Sequence, residues 1–575
     1  MKLIEALNLL KTVDPARLPM KVGLLCGFTP QPLDTFLAAH LQTRLPDRRA
    51  EVQTGRFGDI VGNLTRYLQD PLGIAAIVIE WTDLDSRLGW REQGGWGRAK
   101  VDDICNTARD RLGIVERLIS NGTGVGTLAI ALPSVVPAPV EPVPPGLYGG
   151  LQCRLDALIL SFAEKLLAMR HVRLLSPVRL AAISPQEGRL DVKAICQAGF
   201  PYQLQHADAL ARLLVELLYP TPPLKGIITD LDNTLWDGIL GEVGVDDVAW
   251  DLENHAAQYG NYQQMLQSLA DSGILIAAAS KNNPEVVREA MARPDMLLRP
   301  DSVFPIEVHW TPKSESVARI LKTWNIAADS VVFIDDSKLD LAEVSNAHPS
   351  INCRLFDSDP NQTAVLVNEL AELFGKPFDS GEDRLRLRSL RAEAELRTEI
   401  DGSKSLEQVL ATSEGLLTIT PIGNPPEPRA LELINKTNQF NLNGRRINDA
   451  DWLQFLQNSN RVAWIASYED RFGSLGKVSV LVGRRMAGDV VELDAWVLSC
   501  RAFARRIEYA MLHALYERES VPAIRFHFEA TDRNGPIQEL LSQLAGGALT
   551  GHCQITADNF VERKLPWYMR VQFGA

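Results

Sequence analysis

The chain has 575 residues and a formal net charge of −13, from 59 Lys and Arg against 72 Asp and Glu. Hydrophobic residues make up 46% and charged residues 23%, values that exclude a wholly disordered, a collagen-like or a membrane-embedded chain. One hydrophobic core rarely exceeds about 300 residues, so this length predicts at least two cores. The negative net charge gives no general electrostatic attraction to nucleic acid. The sequence has no apolar run of the ~18 residues that a transmembrane helix needs.

Cysteine usage and the first residues indicate the compartment. Seven cysteines are scattered without a CxxC pair, which argues against a structural zinc site or a disulfide framework and favours a reducing environment. Residues 1–13 are typical of a short amphipathic helix and lack the apolar core and cleavage site of a signal peptide. We therefore expect a cytoplasmic protein.

The first 222 residues alternate short apolar runs with helical patterns, which predicts a parallel α/β sheet. We expect strands at 21–26, 73–80, 126–132 and 171–175, and helices at 33–45 and 102–120. Residues 133–145 hold six prolines, which we interpret as a long surface loop within this domain.

A second α/β domain is predicted over 223–376, with strands at 226–229, 274–279, 303–306 and 330–334. Residues 377–405 are dense in charge and predict an exposed helical connector. A third domain is predicted over 406–575, with strands at 462–467, 477–482 and 490–497, a hairpin turn at 468–473 and a long helix from about 500 to 519.

Two aspartates follow the first strand of the second domain. Asp230 and Asp232 stand two positions apart where the chain leaves that strand, at the sheet edge where open α/β folds bind ligands. One carboxylate can attack phosphorus and the other can exchange a proton with the leaving or entering oxygen. The pair also favours Mg²⁺, which offsets phosphate charge.

Three later segments extend this pattern. The second strand ends in Ser280, Lys281 and Asn282, whose polar groups suit a phosphoryl group. Lys313 precedes a predicted helix, and a further strand ends in Asp335 and Asp336, which suit a metal site. Together they predict a Mg²⁺-dependent phosphoryl site.

The third domain has its own candidate groups. The segment 433–442 is rich in amides, including Asn438 and Asn441, which either order a loop or bind a polar ligand. Cys500 is predicted at a helix start, where helix amides together with Arg501 and Arg505 would lower the thiol pKa and make a nucleophile for acyl transfer. A structural cysteine is the alternative.

The phrases DLDNTLWDGILGEVG (230–244), SKNNPEVV (280–287), HWTPKSES (309–316) and FIDDS (333–337) resemble the FkbH-like branch of the haloacid dehalogenase superfamily. This resemblance implies that Asp230 is the nucleophile and a Mg²⁺ ligand, and that Asp232 is the acid/base and offers a backbone carbonyl to the metal. It implies that Ser280 and Lys313 hold phosphate, and that Asp335 and Asp336 complete the metal site.

INKTNQFNL, EDRFG and LSCR also resemble the C-terminal half of that family, which is similar to the GNAT acyltransferase fold. The first domain resembles the SGNH-like region of long members but shows no hydrolase serine, so we expect it to be non-catalytic. The implied architecture is α/β with SGNH-like, HAD-like Rossmannoid and GNAT-like domains. Arg501, Arg505 and Arg506 are the predicted basic patch for a partner.

The implied activity is transfer of a glyceryl or similar C3 group from 1,3-bisphosphoglycerate to the phosphopantetheine thiol of an acyl carrier protein, in polyketide or peptide-synthetase metabolism. Cys500 would carry the acyl group, with Asn438, Asn441, Arg501 and Arg505 on the pantetheine side. Two alternatives remain: a phosphatase acting on a small phosphate ester, and a non-catalytic docking protein.

Overall fold

The computed structural model describes residues 1–69, 73–122, 126–376, 381–401, 405–423, 426–447, 449–486, 488–546 and 552–574. The chain divides into two compact units, Met1–Thr221 with Asp449–Leu453, and Pro222–Asn448 with Gln454–Ala575. Residues 377–380 and 402–404 of the predicted connector lie outside the described residues. Within the ranges given, none of the helices combines the length and the apolar character needed to cross a bilayer.

The first unit contains a five-stranded sheet in the order β2-β1-β3-β4-β5, with every pair parallel. Its strands are β1 Pro19–Leu25, β2 Arg49–Thr54, β3 Ala75–Val78, β4 Leu128–Ala131 and β5 Val172–Leu174. The predicted parallel α/β sheet is therefore confirmed. Strand β2 was not predicted, because its sequence RAEVQT is polar and half-exposed.

The helices that accompany this sheet in the described residues are α1 Leu3–Lys11, α2 Leu33–Arg44, α3 Ile60–Gln69, α4 Trp81–Leu84, α5 Val101–Asn121, α6 Gly150–Leu167, α7 Pro177–Ile183, α8 Val192–Ala198 and α9 Leu204–Leu218. The proline-rich segment 133–145 is a loop, as predicted, but it does not simply lie on the surface. Val135, Ala138 and Val140 are buried, so the loop contributes apolar side chains to the core.

The second unit begins with another fully parallel sheet, in the order β10-β9-β6-β7-β8. Its strands are β6 Gly226–Thr229, β7 Leu275–Ser280, β8 Val303–Val308, β9 Val331–Asp335 and β10 Asn352–Leu355. Its helices are α10 Leu240–Val243, α11 Ala257–Asp271, α12 Pro284–Met291, α13 Lys313–Trp324, α14 Lys338–Ala347, α15 Pro360–Phe374 and α16 Gly381–Asp401. Strands β6, β7 and β9 are buried throughout because helices cover both faces.

The strand order of this sheet creates a crevice. From β6 the chain proceeds outward through β7 and β8, and then returns to the other side of β6 to form β9 and β10. The loops that follow β6 and β9 therefore leave the sheet in opposite directions. Ligands of open α/β sheets bind at such a point, outside the carboxyl ends of the strands.

Helix α16 was predicted to be an exposed connector, and the structure corrects this. Leu390, Ala392 and Leu396 are buried, and Leu390 packs with Trp324 and Val331 in one hydrophobic cluster. The many charged residues of the segment obscured these apolar positions, which are buried in the structure.

The second unit also contains a mixed sheet, in the order β17-β16-β15-β14-β13-β11-β18, with β12 paired to β15. Its strands are β11 Gly415–Pro421, β12 Phe440–Asn441, β13 Arg461–Asp470, β14 Gly473–Met486, β15 Val490–Leu498, β16 Ala523–His527, β17 His552–Thr556 and β18 Met569–Phe573. The helices of this region are α17 Leu406–Ala411, α18 Pro428–Lys436, α20 Ile507–Glu519, α21 Gly535–Ala545 and α22 Ala557–Glu562. Helix α19 Asp449–Leu456 is divided between the two units at Leu453. The predicted hairpin turn joins β13 to β14.

Strands β15 and β16 are parallel but diverge. They pair from Val490 opposite Ala523 only as far as Leu493 opposite Phe526. Beyond that point β12 pairs with the end of β15, and the Asn443 amide donates to the Asp494 carbonyl at 2.8 Å and to the His527 carbonyl at 3.2 Å. The chain itself thus fills the opening between the two strands.

Candidate active site

The crevice of the second sheet brings together carboxylates from two neighbouring strands. Asp230 follows β6, and Asp335 is the last residue of β9. Asp335 is fully buried and Asp230 is 5% exposed. One oxygen atom from each of Asp230, Asp335 and Asp336 lies within 4.8 Å of the others. The apolar strands position these groups, because each carboxylate follows directly from a strand held in the core.

Lys313 connects the two buried carboxylates. Its Nζ atom lies 2.8 Å from Oδ1 of Asp230 and 2.6 Å from Oδ2 of Asp335. Lys313 begins α13 and is itself buried. The helix start places this ammonium group inside the crevice, between the two carboxylates, while its predicted contact with phosphate stays a prediction.

Burial dominates the electrostatics of this group. It raises the pKa of Asp230 and that of Asp335 above their ordinary values, and Lys313 opposes both shifts without cancelling them. Burial alone would lower the pKa of Lys313, but the two carboxylates outweigh it and the net shift is upward. The pKa of Asp336 is also raised, chiefly by burial. Three carboxyl groups thus lie near one buried ammonium group, and once they are ionised their negative charge exceeds the positive charge of Lys313.

This charge balance fits a divalent cation. Asp230, Asp335 and Asp336 offer hard oxygen atoms within a small radius, the ligand type that Mg²⁺ prefers. A bound dication would neutralise the excess negative charge of the crevice. These three carboxylates are accordingly the residues that could hold the predicted metal ion.

Asp232 lies apart from that trio, and three hydrogen bonds fix its carboxylate. Oδ1 accepts from the Trp236 indole at 3.0 Å and from the Leu240 backbone at 3.1 Å. Oδ2 accepts from the Asn282 amide at 3.0 Å. A positioned carboxylate at this place can exchange a proton with a substrate oxygen. Asn282, which was predicted to bind phosphate, donates its amide to this carboxylate in the structure.

The remaining predicted phosphate ligands lie at the same edge. Ser280 ends β7 and is buried, and its carbonyl accepts from the backbone of His309 at 3.0 Å. Lys281 donates to Asp340 at 2.6 Å, and the Asp340 carboxylate lies 3.7 Å from Lys313. Asp340 was not predicted. Asp340 stands four residues after Asp336, in the first turn of α14. This spacing is the feature of the sequence that could have identified it as a site residue.

Cys500 belongs to a different segment from the carboxylate site. It begins a 3-10 turn, Cys500–Ala502, and α20 starts only at Ile507, so the predicted helix start at Cys500 is wrong. Burial and two cations lower the pKa of Lys225, while Asp329 and Cys500 oppose that shift. Lys225 directly precedes β6, so the thiol lies near the amino end of the strand whose carboxyl end leads to Asp230.

Two of the three arginines of the predicted basic patch, Arg501 and Arg505, are buried. Arg505 is fully buried, and its Nε atom donates to Asp470 at 3.1 Å. Arg501 is 8% exposed and donates to the Lys477 carbonyl at 3.1 Å. Both guanidinium groups stabilise the turn from inside, which is the physical reason that they do not face a carrier or a phosphate.

The amide-rich segment orders its own backbone. Asn441 is buried, its amide nitrogen donates to the Thr437 carbonyl at 3.0 Å, and its oxygen accepts from the Gly444 backbone at 2.9 Å. Asn438 accepts a hydrogen bond from Arg446. Of the two predicted roles for these amides, loop ordering is the one that the structure supports for Asn441.

Comparison with known proteins yields distant structural likenesses. No family model and no curated protein matches the chain. The N-terminal part of protein BF1531 from Bacteroides fragilis, which contains a phosphatase domain complexed with Mg, is 19% identical with a TM-score of 0.48, covering 66% of this chain and 100% of that one. An uncharacterized protein from Corynebacterium glutamicum is 15% identical with a TM-score of 0.20, covering 27% and 98%. At such scores, the assignment of function depends on the site itself.

Proposed function

We propose that the chain is a Mg²⁺-dependent enzyme of the haloacid dehalogenase type that cleaves phosphate from a small organic molecule. The observation that best supports this is Lys313, buried between Asp230 and Asp335 at the switch point of a parallel sheet. The motif resemblance and the three-carboxylate group agree with it.

The residues divide the chemistry between them. A carboxylate oxygen of Asp230 attacks phosphorus, and the bond between phosphorus and the substrate oxygen breaks. Asp232 gives the leaving oxygen its proton, and later takes one from the water that hydrolyses the aspartyl phosphate. Lys313 orients the nucleophile and pairs with the phosphoryl group. Mg²⁺, bound by Asp230, Asp335 and Asp336, would offset the charge of the phosphoryl oxygens.

The motif resemblance supports a finer proposal, that 1,3-bisphosphoglycerate is the donor and an acyl carrier protein the acceptor. Attack on phosphorus of the acyl phosphate would release a carboxylate, which cannot acylate a thiol. Transfer therefore requires the Cys500 thiolate to attack the C1 carbonyl carbon, with loss of inorganic phosphate and formation of a thioester. The carrier thiolate then displaces Cys500. The carboxylate site removes the ester phosphate at C3.

The experiment combines the purified chain with Mg²⁺, 1,3-bisphosphoglycerate and a phosphopantetheinylated carrier, and follows the carrier by mass spectrometry. We expect a mass increase of one glyceryl group. Asp230→Asn should lower ester-phosphate release at least about a thousandfold and leave the loaded group phosphorylated. Cys500→Ala should abolish loading, whereas Cys196→Ala, at an exposed cysteine of the first unit, should behave as wild type.

The phosphatase alternative has one observation in its favour, because the carboxylate site is complete without Cys500. Phosphate release from simple esters without any loading of cognate carriers would establish it. Intact folding without Mg²⁺ or phosphate binding would instead support the docking protein.

A further inference from the structure

Two large apolar side chains are exposed beside the carboxylate site. Trp310 is 77% exposed and Leu339 is 78% exposed. Isolated apolar residues are common on protein surfaces, but a tryptophan is usually mostly buried. Both belong to segments that also supply residues of the carboxylate site, so a substrate bound at that site could contact them.

Trp310 is fixed close to the phosphoryl site by the backbone around it. The preceding residue, His309, donates its backbone N–H to the Ser280 carbonyl at 3.0 Å. Lys313 follows three positions later, and an extended chain spans at most about 3.6 Å per residue, so the two Cα atoms lie within about 11 Å. Trp310 therefore belongs to the short segment that leads from the end of β8 to the Lys313 ammonium group, and its indole is exposed there.

Leu339 stands in the first turn of α14, next to a residue of the same crevice. It precedes Asp340, whose carboxylate lies 2.6 Å from Lys281 and 3.7 Å from Lys313. The cations that suit a phosphate thus lie between two segments, each of which presents an exposed apolar side chain. We call Trp310 and Leu339 the apolar rim.

We propose that the apolar rim binds the organic part of the phosphorylated substrate, an inference that rests on the proposed phosphate-cleaving function. Once the phosphate enters the charged crevice, the rest of the molecule extends outward past Trp310 and Leu339. An apolar or aromatic body would remove the indole from water and gain affinity, whereas a small polyol would leave it hydrated. The rim therefore favours phosphates that carry an apolar body, a preference that supports the phosphatase alternative rather than the polar C3 donor.

The test uses phosphonates, which the enzyme does not cleave, so that binding is measured independently of turnover. The full chain in Mg²⁺ is titrated calorimetrically with benzylphosphonate and with methylphosphonate. We expect benzylphosphonate to bind at least about tenfold more tightly to the wild type. Trp310→Ala should reduce that ratio to about one, and Trp310→Phe should retain most of it.

Leu339→Ala should reduce the ratio about threefold, since one aliphatic side chain contributes less contact than an indole. Leu160→Ala, at a 69% exposed leucine of α6, is the matched control and should leave it unchanged. Equal binding of the two phosphonates by the wild type, or an unchanged ratio in Trp310→Ala, would overturn the inference while leaving the proposed function intact. Failure of both to bind would overturn the phosphate-binding function and the inference with it.

Discussion

Replacing Lys313 with Met tests the electrostatics of the site directly, because the side chain keeps its length and loses its charge. The Nζ atom lies 2.8 Å from Asp230 and 2.6 Å from Asp335, both nearly inaccessible to water. Removing one partner of a buried ion pair leaves uncompensated charge and typically costs about 3–5 kcal/mol. We expect Lys313→Met to lower the free energy of unfolding of the second unit by that amount at pH 8 without Mg²⁺.

The loss should be smaller at pH 5.5. Without the ammonium group, the pKa values of both carboxyl groups rise further above those of the unfolded chain. At a pH between the pKa of a carboxyl group in the unfolded chain and its raised pKa in the folded protein, the folded state binds more protons. The stability of the variant therefore increases as the pH falls and decreases as it rises. Mg²⁺ should recover part of the loss, because it binds the folded carboxylates and replaces the missing positive charge.

The assay is urea unfolding at both pH values, following the transition that Mg²⁺ shifts in the wild type. Lys281→Met is the matched control, since Lys281 is partly exposed and pairs with Asp340 at 2.6 Å. A surface ion pair of this kind contributes at most about 1 kcal/mol. A similarly small loss for Lys313→Met, or an equal loss at the two pH values, would refute the assignment of Lys313 as the counter-charge of the crevice.

Three further predictions concern folding. A Cβ atom at Gly260 would lie 2.3 Å from the Trp250 carbonyl oxygen, so Gly260→Ala should destabilise by about 1–3 kcal/mol in urea unfolding, despite the higher helix propensity of Ala. Asn443→Ala removes the amide that joins two diverging strands and should cost about 1–3 kcal/mol in the same assay; an unchanged midpoint would contradict this. Burial lowers the pKa of His206 to about 3, so below about pH 6.5 the unfolded chain binds a proton that the folded chain does not, and stability falls on acidification. His206→Gln should reduce that fall between pH 7 and pH 5, and an identical slope in both proteins would count against it.

The sequence predicted the carboxylate site because its strands are covered on both faces and are therefore continuously apolar. Polar residues that end such strands stand out, and parallel strands bring their carboxyl ends to one edge. Asp230, Ser280 and Asp335 were found this way. Strands β2 and β10, which lie at the edges of their sheets, were not predicted. The sequence of β2 is polar and half-exposed, so it lacks the continuous apolar pattern of a buried strand.

The cysteine turn was harder to predict because its structure depends on distant residues. Arg505 is buried by an ion pair with Asp470, which lies 35 positions earlier in the chain, and charged residues are otherwise nearly always exposed. Ala504 and Arg506 adopt positive φ angles of 65° and 63° without the glycine that usually signals such a turn. No local pattern therefore placed the start of α20 at Ile507.

The two predicted reaction centres lie at opposite ends of one strand, and this separation constrains the mechanism. Lys225 and Asp230 are five residues apart along an extended segment, a span of roughly 16 Å at ~3.3 Å per residue. Cys500 is near the first and the carboxylates surround the second. A phosphate bound at Asp230 would therefore lie at the opposite end of this strand from the lysine that the thiol influences. If both centres act on one donor, they act in succession, and Cys500→Ala must leave the cleavage of simple phosphate esters unchanged.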